Sequence, residues 1–307
     1  MNLLYLNDPG IFKKHNKFFF NNTKKEVTDH RVIERILQIK VPPAWENVWY
    51  ASNKKCHIQV HGTDKLGKKQ YILSEEWINN AKCEKYNRMK RFIRNLNSFK
   101  HKIKLKSAIL NKTTLIHLLF NLLIDTHIRV GNEIYAEQNK TYGLTTLRQK
   151  HLKLINGNYY FEFVGKSKIK HNIIVPSEYN NILSKLNDKG LFNKNKPLFN
   201  VNNVVISSEE LNNYLKEHMG KEYTCKDFRT YSANILFIKT FLKKCKSESI
   251  PKTVILESID ESAKSLGHTR NISKKSYISN NLLDYCLNSF VDACGSSVSS
   301  LLSKVWS

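Results

Sequence analysis

The chain is poor in acidic side chains, with 26 Asp and Glu against 50 Lys and Arg in 307 residues, a formal net charge of +24. That excess of cations has a bland reading as a solvated surface and a sharper one as a footprint for phosphates, which the folded, aromatic-containing character of the chain favours. Long apolar runs are also missing. The most apolar stretch is broken by His117, Asn121 and Asp125, and the first 14 residues carry Asp8 and Pro9 where a secretory leader needs an apolar core. No membrane-spanning segment is expected, and the basic residues are too dispersed for a helix lying on anionic lipid. The six cysteines, at 56, 83, 225, 245, 286 and 294, include no Cys-x-x-Cys pair and no pair at zinc-finger spacing. They read as reduced thiols, with neither a disulfide framework nor a metal site indicated. No internal repeat is present, which excludes a solenoid. What remains is 41% apolar content in a chain long enough for two domains, each with its own core.

The local patterns divide the chain near residue 80. Residues 1–40 are Asn- and Lys-rich around a Phe18-Phe19-Phe20 cluster, and a short helix is expected from Asp29 to Gln38, with Val32, Ile33, Ile36 and Leu37 at helical spacing. Ile58 and Val60, then Gly62 to Gly67, then Gln70 to Leu73, read as a β-hairpin around a Gly and Asp turn. From Lys82 to Lys106 a cation-rich helix and its exit follow. The spacing of Leu115, Leu118, Leu119, Leu122 and Leu123 predicts a helix from Thr113 to Arg129, closed by a left-handed Gly131, with Arg129 in its last turn. Two β-prone runs, Tyr159–Val164 and His171–Val175, flank Gly165 to Lys170 and place Lys166 on a hairpin. Ser207 with Glu210, and Thr224 with Asp227, are helix starts, which sets Arg229 in the early turns of the second. Ile259 to Leu266 reads as a helix that Gly267 ends, leaving His268 just outside it. Ser273 reads as the cap of one more helix, with Tyr277 in its first turns beside Lys274 and Lys275.

Five of these side chains suit phosphoryl transfer. Attack on a phosphodiester needs a nucleophile, neutralisation of the non-bridging oxygens and a proton for the leaving sugar oxygen. A tyrosine such as Tyr277 has an ordinary pKa near 10, so ionising it at pH 7 costs about 4 kcal/mol unless cations or a helix N-terminus reduce that. Arg129 and Arg229 offer planar forks that keep their charge, and His268 can add a hydrogen bond. Lys166 can lend a proton if its pKa is lowered by neighbouring cations. Each has a duller alternative: a dipole-stabilising Arg, a surface Lys, a turn His, a half-buried Tyr. Composition and spacing alone do not select these five from 50 cations, 11 His and 14 Tyr.

Ordered segments do select them. Val41-Pro42-Pro43-Ala44-Trp45, Gly62 to Tyr71, Ile128-Arg129-Val130-Gly131, Gly143-Leu144-Thr145-Thr146-Leu147, Val164-Gly165-Lys166, Lys226-Asp227-Phe228-Arg229-Thr230, Leu266-Gly267-His268-Thr269 and Ser276-Tyr277 resemble, in this order from about residue 39 to 285, the small type IB DNA topoisomerases of poxviruses, bacteria and large DNA viruses. The resemblance implies an α+β fold, with a small antiparallel β-rich N-terminal DNA-clamp domain (1–80). A mainly α-helical catalytic domain (81–307), of the fold shared with tyrosine recombinases, would carry the catalytic Lys on a β-hairpin. It implies that Tyr277 forms a 3′-phosphotyrosyl link, that Arg129, Arg229 and His268 bind the scissile phosphate, and that Lys166 is the general acid. Gln70, Tyr71, Tyr135 and Lys226 match positions near DNA, and Gln has the donor and acceptor to read an adenine edge. It implies supercoil relaxation with no cofactor, metal or ATP, in keeping with the lack of a P-loop motif. The partner would be duplex DNA clamped by a monomer with no membrane, inside the cell where DNA is handled: a viral factory, a virion or a nucleoid. Poxvirus members carry lysines just after the arginine matching Arg129, where this chain has Asn132, Glu133 and Ile134, so their five-base site preference is not carried over.

Two other readings stand beside this one. A tyrosine recombinase shares the arginines, the tyrosine and the 3′ link, but the Pro42–Trp49 and Gly62–Tyr71 segments do not match a helical recombinase arm. A non-catalytic architectural DNA-binding protein would use the charge alone and has no need of the other groups.

Overall fold

Residues 7–105, 109–187, 194–246 and 250–305 are described by the computed structural model. Two compact units are present, residues 1–85 and 86–307, and the division falls inside a helix. Lys106, at the end of the cation-rich stretch, and the first six residues lie outside the described residues.

The first unit is a five-stranded antiparallel sheet in the order β2-β1-β3-β4-β5, from β1 (Ile11–Lys14), β2 (Lys17–Phe20), β3 (Glu46–Tyr50), β4 (Ile58–Thr63) and β5 (Lys69–Leu73), with α1 (His30–Gln38) between β2 and β3. The β4–β5 hairpin expected from the Gly and Asp turn is present, with Asp64 accepting from the Leu66 and Lys68 amides. The β1–β2 hairpin was not read from the sequence. Its turn uses His15 and Asn16, both at positive φ, the left-handed pair that a two-residue connection between twisted strands requires. Ile11, Phe18, Tyr50 and Val60 form one core face with Ile36 of α1. Leu37, expected on that apolar face, is instead 64% exposed, because it follows Ile36 by about 100° around the helix.

The second unit is mainly helical. The 28-residue α2 (Glu75–Lys102) supplies Met89, Phe92, Leu96 and Phe99 to its core. Then come α3 (Lys112–Thr126), α4 (Glu133–Asn139), a three-stranded antiparallel sheet β6 (Leu152–Ile155), β7 (Asn158–Val164) and β8 (Lys170–Ile174), α5 (Asn180–Leu186), and a small ribbon β9 (Asn200–Val201) and β10 (Val204–Val205). Seven helices close the described chain: α6 (Ser208–Met219), α7 (Cys225–Lys244), α8 (Pro251–Ser265), α9 (Arg270–Ser276), α10 (Asn280–Asn288), α11 (Phe290–Cys294) and α12 (Val298–Val305). α3 is buried on most sides, and its polar interruptions are each matched: His117 meets the Tyr214 hydroxyl at 2.8 Å, Asn121 donates to the Ile103 carbonyl at 2.8 Å, and Asp125 accepts from the Tyr179 hydroxyl. Those pairings explain how the helix tolerates them in a core. No helix among the described residues is long and apolar enough to cross a membrane.

Two helix boundaries differ from the sequence expectation. α3 ends at Thr126, with His127 in the left-handed conformation at φ 56°, so Arg129 lies beyond the helix and Gly131 does not close it. α9 is capped by Thr269, whose side chain accepts from the Ile272 amide; Ser273 is internal and buried, and Tyr277 is the residue that ends the helix. The positive end of the α9 dipole therefore does not assist the Tyr277 phenol, contrary to expectation.

Candidate active site

Four segments far apart in sequence are brought together by backbone contacts. Arg129 lies in the segment between α3 and α4, and its carbonyl accepts from Leu144 N at 2.7 Å, while Thr145 N donates to the Val130 carbonyl at 2.7 Å. This register requires glycine on both sides, because a Cβ on Gly143 would lie 2.6 Å from Gly131 Cα, and Gly131 itself has φ 118°. Arg229 sits one turn into α7, whose start is held by the Thr224–Asp227 capping box and by Arg88, which donates to the buried Asp227 at 2.9 Å. The αL Gly267 turns the chain out of α8, and His268 N donates to the Ala263 carbonyl at 2.8 Å. Asn234, fully buried on α7, grips the backbone around Tyr277: its amide donates to the Tyr277 carbonyl at 3.0 Å and its oxygen accepts from Ser279 N at 2.9 Å. The Tyr86 hydroxyl adds a bond to the Ile278 carbonyl at 2.9 Å.

The side chains converge. Arg129 and Arg229 donate to the same atom, His268 Nε2, at 2.8 and 2.9 Å. Nε2 is therefore an acceptor, which places the ring proton on Nδ1, facing the Ser273 hydroxyl at 3.5 Å. The Tyr277 ring stacks on His268 with centroids 4.4 Å apart, and its hydroxyl accepts from Arg129 at 3.5 Å, the outer limit of a hydrogen bond. Arg229 also donates to the His127 carbonyl and, at 2.6 Å, to the Leu266 carbonyl. Lys166 is exposed in the tight turn between β7 and β8 and lines one recess with Arg129 and Arg229. A neighbouring cleft of about 600 Å³ is walled by Arg129, Gly131, Lys216, Lys226 and Arg229.

Charge is unusually one-sided here. Burial opposes ionisation of the Tyr277 phenol and is the largest single influence, yet the charge and hydrogen bond of Arg129, then Arg229 and Lys226, together hold its pKa below the ordinary 10. Burial, then the charge of Arg129, pushes Arg229 downward, although a guanidinium stays charged at neutral pH. Burial, then Arg229, Arg129 and Lys166, depresses His268 to about 3, so the ring is neutral until an anion arrives. An anionic phosphate would take over the guanidinium donors and raise that pKa, freeing Nε2 to donate.

These shifts have a consequence for the whole fold. His127 and His151 are each lowered to about 4, first by burial and then by neighbouring cations, against an ordinary 6.5. Between pH 6.5 and about 4 the unfolded chain binds more protons than the folded one, so stability falls as pH drops through that window. Acid titration followed by thermal melting should show a steady decline below pH 6.5, on the order of 1–2 kcal/mol at pH 5 for the well-buried His127 alone. A flat melting temperature between pH 7 and 4.5 would contradict it.

The other sequence-selected residues fall in different places. Tyr135 is 53% exposed on α4, and Lys226 is exposed at the start of α7. In the first unit, Gln70 donates to Asp64 at 2.7 Å, while Tyr71 is 48% exposed on the opposite sheet face, beside His61 and Trp49. Sequence reasoning missed Asn234, Tyr86 and His171, which line or brace the site; no local pattern marks them. All six cysteines are free, and among the described residues no group of three or more His, Cys, Asp or Glu is arranged to hold a metal ion.

The family models that match this chain define its class, the type I DNA topoisomerases. The family model described as eukaryotic DNA topoisomerase I, catalytic core, matches residues 74–287, and that described as bacterial DNA topoisomerase IB, N-terminal domain, matches residues 17–64. DNA topoisomerase 1B of Acanthamoeba polyphaga mimivirus is 35% identical over 295 residues, covering 88% of this chain and 84% of its own. DNA topoisomerase I of Monkeypox virus is 30% identical, and DNA topoisomerase 1B of Vaccinia virus (strain Copenhagen) 29%, each covering 90% of this chain and 89% of its own. The chain belongs to the type IB DNA topoisomerase family. A solved complex of a XerH site-specific recombinase superposes with a TM-score of 0.38 at 17% identity, over 75% of this chain and 59% of its own, too distant to bear on function.

Proposed function

We propose that this enzyme relaxes supercoiled DNA by cutting and resealing one strand through a 3′-phosphotyrosyl intermediate, using no ATP and no required metal. The observation that carries the reading is the convergence of Arg129, Arg229 and His268 on one point beside the Tyr277 hydroxyl. A scissile phosphate entering there takes the guanidinium hydrogen bonds that His268 now accepts. Tyr277 Oη attacks phosphorus, its proton leaves to solvent, and the bond to the 5′ oxygen breaks as Lys166 protonates it. Resealing is the reverse: the 5′ hydroxyl returns its proton to Lys166, attacks phosphorus and expels the phenolate. Between the steps the free 5′ end rotates about the intact strand, driven by torsion, while the covalent link conserves the bond energy.

Residues 1–80 would serve as a clamp on the duplex, with Gln70 and Tyr71 at its groove, and 81–307 as the catalytic domain, with Tyr135 and Lys226 as further DNA contacts and one monomer per site. The working place would be wherever DNA is handled inside a cell, for instance a viral factory. Negatively supercoiled plasmid incubated in EDTA without ATP tests the reading. Relaxation is expected; integration or synapsis would favour a tyrosine recombinase, and retardation without cleavage a non-catalytic binding protein. Binding should weaken with salt at a log-log slope of about 6 to 10, since that many neutralised phosphates release their counterions. A flat salt response would oppose a clamp.

A further inference from the structure

His171, on β8, is stacked on Phe163 of β7 at 4.8 Å and 16°, directly across the hairpin that carries Lys166. Its ring edges are held by two glycine backbones. A Cβ on Gly165 would lie 2.7 Å from His171 Nε2, and one on Gly267 would lie 2.5 Å from His171 Cε1. Gly165 immediately precedes Lys166, and Gly267 immediately precedes His268. The turn holding Lys166 is closed by Gly165 N donating to the Ile169 carbonyl at 2.7 Å. The same ring lines the recess shared by Arg129, Lys166 and Arg229.

We infer that His171 is a positioning residue for the general acid: its imidazole is the spacer that sets the Lys166 hairpin against the His268 loop. This rests on the reading of Lys166 given above. The edge of the ring around Nε2 touches both glycines so closely that neither could carry a side chain without displacing it, so that edge sets how near the two backbones come. Removing the ring leaves the exposed Lys166 turn tied to its own strands, to the Tyr142 amide through the Val164 carbonyl and to the Asn139 carbonyl through Lys168, but takes away the contact that sets it against the His268 loop. A proton donor misplaced by about 1 Å loses on the order of 100-fold in rate, while groups clamped by other contacts are unaffected. Arg129, Arg229 and Tyr277 have such independent clamps in Leu144, Leu266 and Asn234. The neutral state favoured by burial and the two arginines lets the ring sit among cations without adding to them.

The test compares single-turnover cleavage of duplexes bearing a bridging 5′ oxygen or a bridging 5′ sulfur at the cut site. A thiolate leaves without protonation, because a thiol pKa of about 8.5 lies far below the roughly 16 of a water-like hydroxyl. His171→Ala should slow oxygen-substrate cleavage by roughly 100-fold with little change in DNA retardation, and recover to within about 3-fold of the parent enzyme on the sulfur substrate. Lys166→Ala should show the same recovery. His171→Phe, which restores a flat ring on Phe163 but cannot transfer a proton, should regain most of the oxygen-substrate rate, separating spacing from direct proton donation. If His171→Ala is too unstable to purify, His171→Asn must show the same oxygen-to-sulfur difference. Full activity of His171→Ala, or of His171→Asn in its place, on oxygen, or an equal defect on both substrates, overturns the inference. Recovery of Lys166→Ala without recovery of the His171 variants sinks it alone, whereas a Lys166→Ala that sulfur does not restore removes the general-acid assignment and this inference together.

Discussion

Tyr277→Phe is expected to abolish both plasmid relaxation and the covalent DNA adduct, lowering cleavage by at least about 10⁴-fold, while leaving DNA binding within a few-fold of the parent enzyme. The change removes one oxygen. The ring keeps its stacking on His268 at 4.4 Å, and the backbone keeps its bonds to Ser273 and Asn234. The contact to Arg129 that is lost, at 3.5 Å, is too long to hold the fold together, and Arg229, which also bonds the hydroxyl, keeps its bonds to the His127 and Leu266 carbonyls. Loss of chemistry with retained binding and melting temperature is therefore the signature of a missing nucleophile rather than a damaged site. The environment supports the choice: the hydroxyl is buried, yet it faces guanidiniums and not an apolar interior, so an attacking phenolate has charge to meet it. A Phe variant that still formed an adduct would end the assignment.

Arg229 gives the second large effect, and for two separable reasons. It is 4% exposed and donates to the carbonyls of His127 and Leu266 as well as to His268. Arg229→Ala would strand the buried Leu266 carbonyl, at a cost of about 1–3 kcal/mol, along with the part-buried His127 carbonyl, and would remove a donor from the proposed phosphate site, worth roughly 10²–10³ in rate. Arg229→Lys keeps the charge without the fork, so it should preserve more stability than Ala but still cleave at least about 10²-fold more slowly. Single-turnover cleavage measured well below the melting temperature separates the two contributions. Cleavage by the Ala variant within about 10-fold of the parent would show that the phosphate is bound elsewhere. Arg129 differs in being only half-buried, so its substitution should cost rate with less stability.

Much of this was legible along the chain because it is local. The Ser207–Glu210 and Thr224–Asp227 boxes each satisfy amides within one turn, and both helices begin where those residues stand. The hairpin around Gly165 to Lys170 follows from β-prone runs and their spacing. The β1–β2 hairpin had a signal that went unread, an Asn at the second position of a two-residue turn before three phenylalanines.

The errors fall where distant contacts overrule local pattern. α3 stops at Thr126 rather than running to Arg129, because the Arg129 segment is drawn onto Gly143–Thr145, with the two glycine backbones in contact. Tyr277 ends its helix rather than starting one, held by Asn234 from another helix.

By itself the sequence determined the charge, most of the helices, the hairpins around Gly62–Gly67 and Gly165–Lys170, and the family, and it named five candidate side chains, since each of these follows from composition, short-range hydrogen bonding or an ordered set of motifs. Only the tertiary structure decided that two guanidiniums share one imidazole nitrogen and which residues brace them. Burial and through-space charge, which set those states, depend on neighbours that the linear order separates by 39 residues for Arg229 and His268 and by 139 for Arg129 and His268.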